Sequence, residues 1–257
     1  MSRWLSIAWL SFLIGGAFFA KRFPAPWALD HTLRPSFDAF GRPVWRLFLE
    51  GAPLSLGLSL VSIALAALAA LIFSVCLIAA GPRMRLLLER IMITINAFPF
   101  FVLGMALGAV YGQSLLGVLV ALMAAGFPGL ALIMGETAVM ARSQGFVVAS
   151  RNLGANGLQI FRRHILPSLL GVVRAKFPAA VAAAIMTESA LSFLGLGLSP
   201  DVLSWGTLLA QGQEYLLEAP WILGIGTVGI MISISAVFRL SAEPIAPTQE
   251  SVYTVQH

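Results

Sequence analysis

Not one Asp, Glu, Lys or Arg occurs between Gly51 and Pro82, and the same holds from Ile91 to Gly135. A bilayer core about 30 Å thick is crossed by about 20 apolar residues in helical form. Each charge-free run is therefore long enough to span, and the second is too long for one helix. The rest of the chain agrees: 59% of residues are apolar, 11% are charged, and the mean hydropathy is +0.91. A soluble domain carries about 25% charged residues, so a water-facing surface cannot be assembled from this sequence.

The expected fold is an all-α membrane protein of about six transmembrane helices. Trp4–Ala20 is apolar and short. It reads as a secretory signal or as an uncleaved first span, and the lack of a convincing small-x-small site before Lys21-Arg22-Phe23-Pro24 favours the span. Gly51–Pro82 is the second span. The run from Ile91 to Gly135 gives two more, separated by a break at Tyr111-Gly112-Gln113-Ser114. Phe177–Leu198 is the fifth span, with Glu188 as its only charge, and Pro220–Phe238 is the sixth.

Loop charges orient these spans. Arg83, Arg85 and Arg90 follow the second span, and Arg142, Arg151, Arg162, Arg163, Arg174 and Lys176 separate the fourth from the fifth. Residues 199–219 hold Asp201, Glu214 and Glu218 and no base. Cytoplasmic loops are enriched in Lys and Arg, which places the second and fourth connections and both termini inside. A pI near 10.1 thus reflects topology rather than a nucleic-acid partner. Residues 21–50 run against this rule with Lys21, Arg22, Arg34, Arg42 and Arg46. Phe40, Val44, Leu47 and Phe48 share one helical face there, as in an amphipathic helix lying at the interface. The expected divisions are residues 1–35 (first span and external linker), 36–50 (interfacial segment), 51–240 (a core of five spans) and 241–257 (a polar tail expected to be disordered).

Residues 141–170 form a long polar connection that spanning alone does not require. Gly154 can take the left-handed conformation that ends one helix, and Asn156 can cap the next with Gln159 as capping-box partner. Leu158, Phe161 and Ile165 recur at i, i+3, i+7 as an apolar ridge beside Arg162 and Arg163, and Pro167 is expected to stop the helix. Such a helix–turn–helix either lies on anionic lipid or inserts into a groove on a soluble partner. Within the spans, Glu188 is the most conspicuous group, since a carboxylate at bilayer depth costs about 2.5–3.5 kcal/mol. It faces substrate or makes a structural hydrogen bond to a neighbouring span. Asn96 beside Phe98-Pro99 is a weaker signal of the same kind. His164 has no second His or Cys near it in sequence and reads as a residue of the loop's own fold, and Cys76 as a packed hydrophobe.

The stretch Ala149-Ser150, Gly154, His164-Ile165-Leu166-Pro167 resembles the coupling loop of permeases of binding-protein-dependent ABC importers. Glu188-Ser189-Ala190-Leu191-Ser192-Phe193-Leu194-Gly195-Leu196-Gly197 and Ser204-Trp205-Gly206 resemble the dipeptide/oligopeptide/nickel branch of that family. So do Tyr215-Leu216-Leu217, Ala219-Pro220-Trp221, Phe40-Gly41-Arg42, Ala97-Phe98-Pro99 and Gly126-Phe127-Pro128-Gly129, in order over residues 38–238. The motifs are similar to those of the second, C-type permease of such a transporter. Val148 stands where the family usually has Glu, and Arg239-Leu240-Ser241-Ala242-Glu243 departs from the family's usual ending.

The resemblance implies the fold of a type I ABC importer permease and import of peptides, with nickel, metal chelates or antimicrobial peptides as alternative cargo. It implies a channel-forming, non-catalytic subunit that binds no cofactor itself. Its partners would be a B-type permease, two ATPase subunits or domains that carry ATP–Mg, an external substrate-binding protein and the lipid bilayer. ATPase coupling is expected at Ala149, Ser150, Gly154, Asn156, Leu158, Phe161, Arg162, Arg163, Ile165 and Pro167. The translocation path or gate is expected at Asn96, Phe98, Pro99, Glu188 and Ser192. No Gly-x4-Gly-Lys-Ser/Thr occurs, so this chain has no phosphate-cradling loop of its own. An intramembrane protease is disfavoured because His31, His164 and His257 all lie outside the spans. A secondary transporter or channel would usually show more intramembrane ionisable groups or an inverted repeat.

Overall fold

The computed structural model describes residues 44–217 and 219–241, together with Ile7, Ala8 and Ser11. The expected first span, apart from those three residues, and the polar tail lie outside the described residues.

Among the described residues four helices are long and apolar enough to cross a membrane, and one bent pair makes a fifth crossing if its two halves count as one span. Helix α1 spans Val44–Ala79, α2 Pro82–Ala97, α3 Phe100–Tyr111, α4 Leu115–Arg142, α5 Gly145–Asn152 and α6 Gly157–Ile160. A π-helical turn at Phe161–Ile165 leads into α7, Leu166–Phe193, and α8, Trp205–Glu214, and α9, Trp221–Ser241, follow.

The second span begins earlier than its charge-free run. α1 is a single helix of 36 residues, about 54 Å long, so residues 44–50 continue the span instead of forming a separate interfacial helix. Leu47 is buried and Phe48 packs on Trp205, with ring centroids 6.2 Å apart. Leu47 and Phe48 are thus turned onto the protein, and Arg46 pairs with Glu50 at 2.6 Å.

The third span differs more. Gly81-Pro82 starts α2 at once, since a proline in the first turn lacks only an N–H that the helix would leave unpaired. Arg83, Arg85 and Arg90 therefore sit on a helix and not in a loop, and Arg85 bonds Glu89 at 2.8 Å. At Phe98-Pro99 the chain turns by 88°. A residue before proline is pushed out of the α region, and Phe98 is extended, with φ −73° and ψ 131°. Pro99 thus breaks the span into α2 and α3. The next break falls where the sequence placed it: Ser114 caps α4 by accepting from the Gly117 N–H at 3.0 Å.

The core is built on α1 against α4, with α7 laid across both. Ala52, Ser59, Ser62, Ala66 and Ala70 form a buried stripe of small residues on α1, and Ala121, Ala131 and Ala138 are buried on α4, which packs against it. Small side chains let membrane helices approach closely where lipid supplies no hydrophobic drive. Two of the buried serines satisfy themselves locally, Ser62 donating to the Leu58 carbonyl and Ser74 to that of Ala70, whereas the Ser59 hydroxyl has no hydrogen-bond partner among the described residues. The opposite face of α1 leaves Val61, Leu65, Leu68, Ile72 and Val75 exposed, an apolar stripe suited to lipid or to another membrane helix.

The two ends of this bundle differ in chemistry. At one end Arg142, the last residue of α4, donates to the Ile78 carbonyl in the last turn of α1. A cation there satisfies an orphan carbonyl and meets the negative pole of the helix dipole. At the other end Gln113 donates to the Gly195 carbonyl at 2.8 Å, and α8 packs against α7 and α9.

Candidate functional site

Two groups of sequence-predicted residues are brought together, one at each end. At the arginine-rich end α5, α6 and the π turn fold into a compact loop. Gly154 has φ +89°, the left-handed region that a Cβ disfavours, and it ends α5. The Ala155 N–H then reaches back to the Ser150 carbonyl at 3.1 Å. Asn156 and Gln159 exchange reciprocal bonds of 2.9 Å, completing the expected capping box. Ser150 Oγ and His164 Nε2 lie 3.2 Å apart, and the Phe146 ring lies beside the imidazole, with centroids 5.3 Å apart and the planes tilted by 52°. His164 thus ties the two arms of the loop together. Among the described residues no group of three His, Cys, Asp or Glu side chains could hold a metal ion.

The expected ridge is not a continuous outer edge. Ile165 is buried and Phe161 is partly buried against the core, while Leu158 is exposed. A π turn carries an extra residue per turn, so the i, i+3, i+7 spacing of an α-helix no longer keeps one face. The exposed apolar tips are Leu158 and Leu153, the latter 89% exposed beside Gly154. Spacing gave no signal for Leu153, because it precedes the turn. Ala149, Arg162, Arg163 and Pro167 are exposed and Ser150 is half-buried. A concavity of about 690 Å³ opens here, lined by Ser150, Gly154, Gln159, Arg162, Arg163 and His164 among others.

Pro167 does not stop the helix. It lacks the N–H that would bond four residues back, and the π turn before it absorbs the defect, the Leu166 N–H bonding the Phe161 carbonyl. Gly157 to Phe193 consequently run as one apolar helical rod of 37 residues, about 55 Å long. The fifth span is therefore joined directly to the loop.

Near the far end of that rod lies Glu188, 0% exposed. Ser204 donates to its Oε1 at 2.9 Å, Ser192 to the same oxygen at 3.1 Å and Ser189 to Oε2 at 3.4 Å. Ser55 of α1 adds a fourth hydroxyl. Of the two roles read from sequence, the structure shows the hydrogen-bonded one: every partner it gives Glu188 is a serine of this chain. The backbones close tightly around the knot. A Cβ on Gly206 would sit 2.7 Å from the Ser189 Cα and the Ser192 Cβ, so the Ser204-Trp205-Gly206 motif fits against the Glu188 motif only with glycine there. Ser55 was not legible as a partner, because its place in the knot depends on packing across the bundle. Asn96, Phe98 and Pro99 are exposed at the α2–α3 bend, with the Asn96 side chain beside Gly129 of α4, and contribute nothing to the knot's hydroxyls.

The cap makes a local prediction. Asn156→Ala removes one of the paired bonds, at a cost of about 1 kcal/mol, and is expected to speed amide exchange in residues 157–160 roughly fivefold. Unchanged exchange by mass spectrometry would show that the capping box does not hold the loop.

Comparison with known proteins agrees with this architecture. The family described as "Binding-protein-dependent transport system inner membrane component" matches residues 62–248. A protein of Brucella suis provisionally named a peptide transport system permease is 37% identical over 218 residues, covering 84% of this chain and 72% of its own length. A glutathione transport system permease of Escherichia coli is 30% identical over 201 residues, covering 77% of this chain and 66% of its own. A dipeptide transport system permease of Bacillus subtilis is 29% identical over 196 residues, covering 76% and 61%. The multi-helix apolar bundle, the capped loop and these matches together place the chain in the family of inner-membrane components of binding-protein-dependent transport systems, as a multi-pass membrane permease subunit.

Proposed function

We propose that this subunit forms part of the channel of an ATP-driven importer of di- or oligopeptides and couples ATPase motion to alternating access. The observation that carries this is mechanical. The loop at 145–165 is folded on its own hydrogen bonds and mounted without interruption on a spanning rod. A push on the loop moves the span as a rigid body, one of the discrete motions by which transporters switch.

Charge indicates the loop's side of the membrane and its partner. Residues 141–176 carry Arg142, Arg151, Arg162, Arg163, Arg174 and Lys176 and no acidic residue. The positive-inside rule puts them in the cytoplasm, and with six spans both termini follow. A flat lipid surface would not fill the concavity beside Leu153 and Leu158. A soluble partner with acidic side chains and an apolar cleft would, and two ATPase subunits carrying ATP–Mg are that partner. The exposed stripe on α1 is then available to lipid or the second permease, and the end bearing α8 and Asp201 meets the external binding protein. The chain itself is non-catalytic in this scheme and holds no cofactor.

The peptide class rests on the relatives, which are named for peptide, dipeptide and glutathione transport. In the reconstituted transporter with its binding protein, short peptides are expected to stimulate ATP hydrolysis severalfold. Stimulation by nickel or a metal chelate in place of peptides would contradict the cargo assignment.

A further inference from the structure

We propose that Glu188 is a positioning residue that locks α8 to α7, so that motion delivered at the loop reaches the opposite end of the bundle. This rests on the coupling role given above.

The bonds around Glu188 form a directed fan. Three serines each accept one backbone N–H and turn a hydroxyl toward the carboxyl. Ser55 accepts from Trp205 at 3.0 Å, Ser204 from Thr207 at 3.1 Å and Ser192 from Leu198 at 3.1 Å. The three amides belong to the segment between α7 and α8 and to the first turn of α8. Three serine relays thus converge on one side chain near the end of the rod. A serine hydroxyl can donate once while accepting, and the Ser204, Ser192 and Ser189 hydroxyls all donate to the carboxyl oxygens. The hub therefore fixes the direction of every bond in the fan, and through Ser204 it grips the N-terminal cap of α8 itself. Ser204 and Thr207 complete a capping box there, with the Ser204 N–H donating to Thr207 Oγ1 at 2.8 Å. An amide at position 188 would turn a donor toward hydroxyls that are already donating, and one arm of the fan would open.

The rest of the packing shows why this tie matters. α8 is held on its far side by α9, where a Cβ on Gly212 would meet the Leu223 backbone nitrogen at 2.5 Å. α8 is thus wedged between two spanning helices, and the serine–glutamate knot links it to α7 and α1 together. Breaking the knot leaves α8 following α9 instead of the rod.

The test uses the assembled transporter with Cys76 replaced by serine and two spin-label pairs measured by pulsed electron resonance. Labels at Met84 and Ser143 report the arginine-rich end, and labels at Leu116 and Gln213 report α8; all four positions are exposed. In the parent, binding of ATP is expected to shift both distances. In Glu188→Gln the first pair is expected to shift as before and the second to stay still, with ATP hydrolysis retained and uptake reduced at least tenfold. Ser204→Ala, which opens one arm only, is expected to reduce the second shift in part. A parental shift of the second pair in both variants overturns the proposal. A first pair that stays still in the parent overturns the coupling role on which it rests.

Discussion

Replacing Leu153 and Leu158 together by aspartate is expected to lower ATP-driven uptake at least tenfold while membrane insertion stays normal. Both side chains project from the folded loop, 89% and 65% exposed, so neither supports the bundle. Burying a leucine contributes about 1.5–3 kcal/mol, and the pair could lose about 3–6 kcal/mol of docking energy. Each 1.4 kcal/mol is a factor of about ten in affinity, so the loss exceeds what a saturating concentration of partner offsets. Uptake in proteoliposomes and capture of the ATPase subunits should fall together. Parental uptake in the double variant would mean that the loop does not dock through these tips. Phe161 and Ile165 are the wrong residues for this test, because both turn inward.

Trp205→Ala is expected to be the most destabilising single change in the described chain. The indole is 0% exposed and lies against Phe48, and its Nε1 donates to the Phe48 carbonyl at 3.3 Å. Gly229 of α9 leaves the space it fills, since a Cβ there would stand 2.8 Å from the ring. Truncating a buried tryptophan costs about 3–5 kcal/mol through lost transfer energy and the cavity left behind. Thermal unfolding in detergent should show a clear loss of stability, and a change below about 1 kcal/mol would indicate that the site collapses around the missing ring.

The parts of this fold that were legible in the sequence are those fixed by neighbours along the chain. Charge-free runs marked spans, Ser114 marked the α3–α4 break, and Gly154 with Asn156 and Gln159 marked the turn and cap of the loop. Each depends on interactions within a few residues. The misread features depend on longer-range or cooperative geometry. Pro167 looked like a stop, but a π turn absorbed its missing donor and let the rod continue. That same turn rotated Phe161 and Ile165 inward, so the spacing that suggested an outer ridge was spacing on the wrong helix type. Pro99 makes a full break in the charge-free run, because Phe98 leaves the helical region before it. Glu188 was conspicuous as the only charge in its span, yet its surroundings were not legible: two of its partners, Ser55 and Ser204, come from segments that only the folded bundle places beside it.

The most direct measurement of the central claim is peptide uptake by proteoliposomes containing this subunit, the second permease, the ATPase subunits and the binding protein. Uptake is predicted to require ATP inside the cytoplasmic compartment and to vanish when the ATPase subunits are left out. Peptide entry through this chain alone, without ATP or partners, would contradict the account.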